Sequence, residues 1–228
     1  MQIPAGDATL PAELFTAAHP AGVLFVFAHG AGAGHHSPFM RQMAALLAAR
    51  GLDVLTFDFP YMSQGRKLPD RPPVLEAAFR AAIDGALAAL GDRVRGVAVG
   101  GKSMGGRMAT HVAAQPEQWT ATAPLVAAAA FGYPLRPPGP RGGDRVSHLA
   151  RLSVPTLVVQ GTRDTFGGPD DVRAATADAP RVTVRSVDTG DHSLKVTAAS
   201  GQRQAAVDAS IADDVVRFVV TAAGVARD

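Results

Sequence analysis

Six short, mainly apolar runs punctuate the chain: Val23 to Ala28, Val54 to Phe59, Val97 to Val99, Leu125 to Ala129, Thr156 to Gln160 and Val182 to Val187. Longer segments rich in Ala and Leu separate them. A strand with one wet face alternates apolar and polar residues, whereas a strand covered on both faces does not. These runs are largely continuous, and their regular alternation with helical stretches predicts an α/β fold: a mostly parallel, twisted sheet with helices on both faces.

The helical stretches carry readable ends. Ser37 followed by Pro38 offers an N-cap and a proline in the first turn, and Gly51 closes that segment. Pro73 to Leu90 ends at Gly91, Met108 to Gln115 ends at Pro116, and Ala205 to Ala222 places Val207, Ile211, Val215, Phe218 and Val219 on one stripe. Two connections are longer: Pro60 to Pro72, polar and basic, and Gly132 to Ser153, rich in Pro, Gly and Arg with a short helix expected near His148. Neither is long enough for a second domain, so residues 1–228 are expected to form one.

Composition removes several classes of chemistry. With 0 cysteines the chain has no thiolate nucleophile, disulfide or cysteine-held metal. A formal charge of +2, scattered arginines and 6% aromatic residues argue against a nucleic-acid partner. The apolar runs fall far short of a membrane span and the N-terminal residues do not read as a signal peptide, so the expectation is a cytoplasmic protein with no membrane partner. No metal or cofactor is expected. Oligomeric state is not legible.

The sharpest local feature is Gly101-Lys102-Ser103-Met104-Gly105, which follows an apolar run and precedes a helix. A G-x-S-x-G turn between strand and helix presents its serine hydroxyl at the carboxyl end of a sheet. Serine is a weak nucleophile until a base takes its proton. Asp164 follows the run Thr156 to Gln160, and His192 follows Val182 to Val187, so the chain order is Ser103, Asp164, His192. Asp170 and Asp171 are alternatives to Asp164. An oxyanion hole needs two converging N–H groups; Met104 and Ala31 are the candidates, with Gly32 in reserve. Gly30, Gly32, His35, His36, Tyr61 and Tyr133 are expected around a substrate. Lys102 is expected to pair with Asp58 beneath the site or else to face substrate, Asp191 to cap or orient the His192 loop, His111 to be packed or solvated, and His19 and His148 to lie on the surface. Arg66, Lys67, Arg136 and Arg141 suggest an acidic substrate.

Two nucleotide motifs compete for the same glycines. Gly96 to Ser103 matches G-x-x-x-x-G-K-S, but its variable positions are themselves the strand. Gly30-x-Gly32-x-Gly34 with Asp58 imitates a dinucleotide fingerprint, with His35-His36 where a glycine and helix start belong.

Taken together, His29-Gly30-Ala31-Gly32, Phe57-Asp58-Phe59-Pro60-Tyr61, Gly101-Lys102-Ser103-Met104-Gly105-Gly106, Gly132-Tyr133-Pro134-Leu135, Val154-Pro155-Thr156-Leu157, Gly161-Thr162-Arg163-Asp164 and Asp191-His192-Ser193 resemble the small α/β-hydrolases with minimal lids, akin to the dienelactone-hydrolase-like group. The resemblance runs over most of the chain and is nearest to a subgroup containing animal testis-expressed and chromatin-complex proteins. It implies the α/β-hydrolase fold and a Ser103, His192 and Asp164 triad but no substrate; the residues themselves point to cofactor-free cleavage of an ester, thioester or lactone in a small acyl substrate. Dienelactone hydrolases proper use cysteine where this chain has Ser103. A binding or scaffolding protein on the same fold is the alternative from another class, and perhydrolysis or a lyase reaction are other chemistries open to it.

Overall fold

The computed structural model describes residues 1–136 and 144–225. In chain order its elements are β1 (Gln2–Ala5), β2 (Ala8–Phe15), β3 (Val23–Ala28), α1 (Pro38–Ala48), β4 (Asp53–Phe57), α2 (Pro60–Ser63), α3 (Pro72–Leu90), β5 (Gly96–Lys102), α4 (Met104–Ala113), β6 (Leu125–Phe131), β7 (Thr156–Gly161), α5 (Pro169–Ala175), β8 (Val182–Val187) and α6 (Gln204–Ala222). The eight strands form one sheet in the order β1-β2-β4-β3-β5-β6-β7-β8. From β4 to β8 neighbouring strands are parallel; β1 and β2 form an antiparallel hairpin on the β4 edge.

The period of two along each strand divides the apolar residues between two cores. Leu24, Val26 and Ala28 of β3 face a layer built on α3 and α4 with Phe79, Ala82, Met108 and Val112. Val23, Phe25 and Phe27 face the opposite layer, where Met43, Leu47, Ile211 and Val215 of α1 and α6 pack with Phe131 and Val159. Both sides of the central strands are therefore dry, as their continuous apolar runs required. β8, at the sheet edge, is only half-buried, which is why Thr183, Arg185 and Ser186 are tolerated there.

The structure corrects the sequence reading of the run at Val97 to Val99 and of the helix that follows it. β5 extends from Gly96 to Lys102 instead of spanning Val97 to Val99, so the glycines of the apparent P-loop are ladder residues paired with β3 and β6 and not a phosphate cradle. α4 starts at Met104, directly after β5. The helix after Gly34 begins at Pro38, as Ser37 and Pro38 predicted, so no helix start follows the glycines where a dinucleotide fingerprint needs one. Part of the 132–153 connection, including Arg141, lies outside the described residues; the helix expected near His148 is a single 3₁₀ segment, Ser147–Arg151.

Candidate active site

The carboxyl ends of β3, β5, β7 and β8 converge on one region, and the loops that follow them supply its side chains. Ser103 occupies the single position between β5 and α4, with φ 52° and ψ −114°. Positive φ costs a non-glycine residue on the order of 1–3 kcal/mol, so the turn must be held from outside. Ser103 N–H donates to the Phe131 carbonyl at 2.9 Å, and the Ser103 carbonyl accepts from Arg107 N–H at 3.0 Å as the first bond of α4. The flanking glycines allow the close approach. A Cβ on Gly105 would lie 2.6 Å from the His29 carbonyl oxygen, and one on Gly101 would lie 2.5 Å from the Gly106 nitrogen.

Ser103 Oγ lies 2.9 Å from His192 Nε2, and His192 Nδ1 lies 2.8 Å from Asp164 Oδ2. The Asp164 side chain has no exposure, whereas the imidazole keeps 23%. Each carboxylate oxygen of Asp164 has a further donor: Phe166 N–H to Oδ1 at 2.8 Å and Gln160 Nε2 to Oδ2 at 2.9 Å. The edge of the Phe166 ring packs against the imidazole, with centroids 4.5 Å apart. An imidazole so placed can accept the serine proton through Nε2 while the buried carboxylate faces Nδ1–H. Asp170 and Asp171 are instead engaged by Arg173 and Arg136 on the surface.

Gln160 was not singled out from sequence, although a lone amide at the end of an apolar strand was the available signal. It is wholly buried. Its Oε1 accepts from Tyr133 N–H at 2.7 Å, and its Nε2 faces Asp164 Oδ2, the Tyr133 carbonyl at 3.2 Å and the Gly167 carbonyl at 2.6 Å. One amide thus joins the loops after β6 and β7 to the carboxylate.

The loop after β3 is pinned from below. Phe59 N–H donates to His29 Nε2 at 3.0 Å, so the His29 proton resides on Nδ1, which donates to the Gly30 carbonyl at 2.7 Å. Burial lowers the His29 pKa, in keeping with this neutral tautomer. The Tyr61 hydroxyl donates to the Ala31 carbonyl at 3.0 Å. In a planar trans peptide the carbonyl and the next N–H point in opposite directions, so these bonds fix the Ala31 and Gly32 N–H groups on the other side. Met104 N–H, at the start of α4, has no intrahelical partner.

Several expected substrate contacts are placed elsewhere. His35 is buried, with its N–H 2.8 Å and its Nδ1 3.0 Å from Asp58 Oδ1. Burial works to raise the Asp58 pKa, but the His35 hydrogen bonds outweigh it and hold the carboxyl below its ordinary value. His36 lies on the surface 3.5 Å from Glu13. Tyr61 and Tyr133 are fully buried: the first braces the Ala31 loop, and the second donates its hydroxyl to the Arg145 carbonyl. Lys102 does not pair with Asp58; its Nζ donates to the His192 carbonyl. His148, expected on the surface, is instead buried, its Nε2 2.9 Å from the Thr110 hydroxyl, and His111 pairs with Glu76 at 2.8 Å. Arg66 and Arg136 are tied to Asp70 and Asp171, so they do not form a basic rim.

Gly30 and Gly32 do line the space above Ser103. A cleft of about 650 Å³ opens there, walled by Ala31, Phe39, Met40 and Phe166, with Ser103 and His192 at one side and Lys102 and Lys195 as its cations. A larger depression of about 800 Å³ near Asp92, Arg95 and Pro124 has no nucleophile and base together. Among the described residues no cluster suited to a metal ion is found, and no helix is long and apolar enough to cross a membrane.

The alpha/beta hydrolase domain family matches residues 21–220. No match was found among curated proteins. Among solved structures, the chain is similar to Est1E from Butyrivibrio proteoclasticus with ferulic acid bound, at 14% identity and TM-score 0.74, covering 97% of this chain and 99% of that one. A lidless α/β serine hydrolase from Xanthomonas campestris has 16% identity and TM-score 0.73 over 95% of this chain and 92% of its own. Dienelactone hydrolase from Anabaena variabilis has 20% identity and TM-score 0.68 over 96% and 94%.

Proposed function

The chain belongs to the alpha/beta hydrolase domain family, and on that premise we propose that it is a serine hydrolase cleaving an ester, thioester or lactone through an acyl-enzyme. The observation that carries this reading is the unbroken chain from Ser103 Oγ through His192 to buried Asp164, with contacts of 2.9 and 2.8 Å, at the wall of an apolar cleft. His192 takes the serine proton as Oγ attacks the carbonyl, and Asp164 orients the imidazole and stabilises its charged form. The Met104 and Ala31 N–H groups bind the oxyanion, Ala31 being held by the peptide bonds that His29 and Tyr61 brace. His192 returns the proton to the leaving group and then activates the water that releases the acyl group.

The substrate is a small acyl compound. Phe39, Met40 and Phe166 offer it apolar walls, and the neighbouring folds include one with ferulic acid bound and a dienelactone hydrolase. All eight strands share one sheet, which supports reading 1–228 as one domain. Reaction with a fluorophosphonate followed by intact-mass measurement tests the mechanism. One adduct in the wild type, lost in Ser103→Ala and strongly slowed in His192→Ala, is expected. A folded wild type that takes no adduct and hydrolyses no activated ester overturns the reading.

A further inference from the structure

We infer that Lys102 is a positioning residue for the base, its ammonium strapping the His192 backbone to the same turn that carries Ser103. The inference rests on the hydrolase reading above and adds a part to its machinery. Nucleophile and base sit 89 residues apart in sequence, on loops after different strands, and their 2.9 Å contact depends on how those loops are held together. Lys102 immediately precedes Ser103, and its Nζ donates to the His192 carbonyl. The strap therefore runs from the nucleophile's turn to the backbone of the base, without passing through the imidazole.

The surroundings are shaped for this bond. Gly132, at the end of β6, has φ +65°; a Cβ there would lie 2.6 Å from the His192 carbonyl oxygen and 2.8 Å from Lys102 Nζ. No side chain could occupy that position without parting the two groups. Lys102 is partly buried at the wall of the cleft, with Nζ 5.9 Å from the centroid of the Phe39 ring on α1. The described residues place no carboxylate within ion-pair distance of Nζ, so the cation is committed to a neutral carbonyl. A charge-assisted bond is roughly twice as strong as a neutral one, which gives the ammonium form a purpose that a neutral amine serves less well.

The charged and titratable groups that face it are Asp164 after β7 and Asp191 and His192 after β8; Lys195 and Asp208 line the same cleft further out, and α1 and β6 contribute Phe39 and Gly132. Burial lowers the Lys102 pKa to about 8, against the opposing pull of Asp164 and Asp191. Its charge is therefore lost as pH rises through that value, and turnover falls with it.

Lys102→Met keeps the length of the stem and removes the charge. Its kcat is expected to fall on the order of 10–100-fold with KM little changed, the penalty of a slightly displaced base, and to lose the alkaline fall near pH 8. Rescue separates the ammonium from mere packing. Because the chain has 0 cysteines, Lys102→Cys can be alkylated at that one site with 2-bromoethylamine to give a thioether analogue of lysine. Turnover is expected to return, with its alkaline fall shifted down because this amine is the weaker base.

A folded Lys102→Met with wild-type kcat, or with the wild-type alkaline fall, overturns the inference while leaving Ser103 as nucleophile. Should that variant not fold, the wild type decides: its rate of fluorophosphonate labelling must fall through about pH 8, and a rate flat to pH 10 overturns the inference. A wild type that neither labels nor turns over ester removes the hydrolase reading, and this one with it.

Discussion

Replacing Gln160 with Glu changes one NH₂ to one oxygen and leaves shape almost untouched, which makes it a sensitive probe of the scaffold beneath the base. The wild-type amide accepts from Tyr133 N–H and directs its two hydrogens at three acceptors: the Tyr133 carbonyl, the Gly167 carbonyl and Asp164 Oδ2. A protonated carboxyl restores one hydrogen and leaves at least one buried acceptor unmet. An ionised one restores none and adds negative charge beside Asp164. Each buried group left without a partner costs about 1–3 kcal/mol, so Gln160→Glu should destabilise by about 2–3 kcal/mol when the new carboxyl is protonated and by about 4–6 kcal/mol when it is charged.

Against a total stability of about 5–15 kcal/mol, the second figure brings the fold close to failure. The folded state raises the pKa of the new carboxyl, so the deficit relative to wild type must grow as pH rises from 5 to 8. Urea unfolding of both proteins at those two pH values reads this directly. A deficit under about 1 kcal/mol at pH 8, or one that shrinks as pH rises, would refute the view that Gln160 is a saturated donor hub.

Two further outcomes follow from groups that sequence reasoning placed differently. Tyr61→Phe frees the Ala31 carbonyl and should lower stability by about 1 kcal/mol and kcat more than KM, within the roughly 3 kcal/mol that one oxyanion donor contributes; burial lifts the phenol pKa to about 12, so the loss should be equal at pH 7 and pH 9, and unchanged steady-state kinetics would exclude the bracing role. Buried His148, whose pKa is pushed down to about 3 chiefly by desolvation, binds its proton more readily once unfolded. Stability should therefore fall as pH drops below about 6.5, by up to about 2 kcal/mol at pH 5, with a shallower fall in His148→Asn by thermal unfolding.

What the sequence made legible was decided by how local each signal is. Runs such as Val23–Ala28 and Thr156–Gln160 fall on strands because a buried parallel strand needs little beyond its own side chains. β1 and β2 were missed: Pro4 and Pro11 interrupt them, and the pairing that makes them strands comes from each other and from β4. The run at Val97 was read as ending at Val99, with Gly101 in the turn; here Gly100 and Gly101 are strand residues kept small by Phe25 and by the backbone of α4.

The same division runs through the site. Ser103, Asp164 and His192 could be found from motif and chain order, and they come within hydrogen-bond distance of one another. The direction of a side chain away from a motif could not be found. His35 and Tyr61 flank glycine-rich or aromatic stretches near the cleft, yet Asp58 and the Ala31 carbonyl draw them inward. Lys102 was expected to seek a carboxylate, but the carbonyl across the gap lies 90 residues along the chain.

The sheet also acts as a partition. The cleft borrows its outer wall from α1 and α6, through Phe39, Met40 and Asp208, whereas the helix that springs from Ser103 rests on α3 across the strands. Substitutions in the two layers share few neighbours, and energetic effects at such separated positions add. Evolution can therefore vary what the cleft accepts by repacking one layer while the layer behind the nucleophile drifts on its own account, and a library confined to α1 and α6 would sample new pockets without reopening the turn at Ser103.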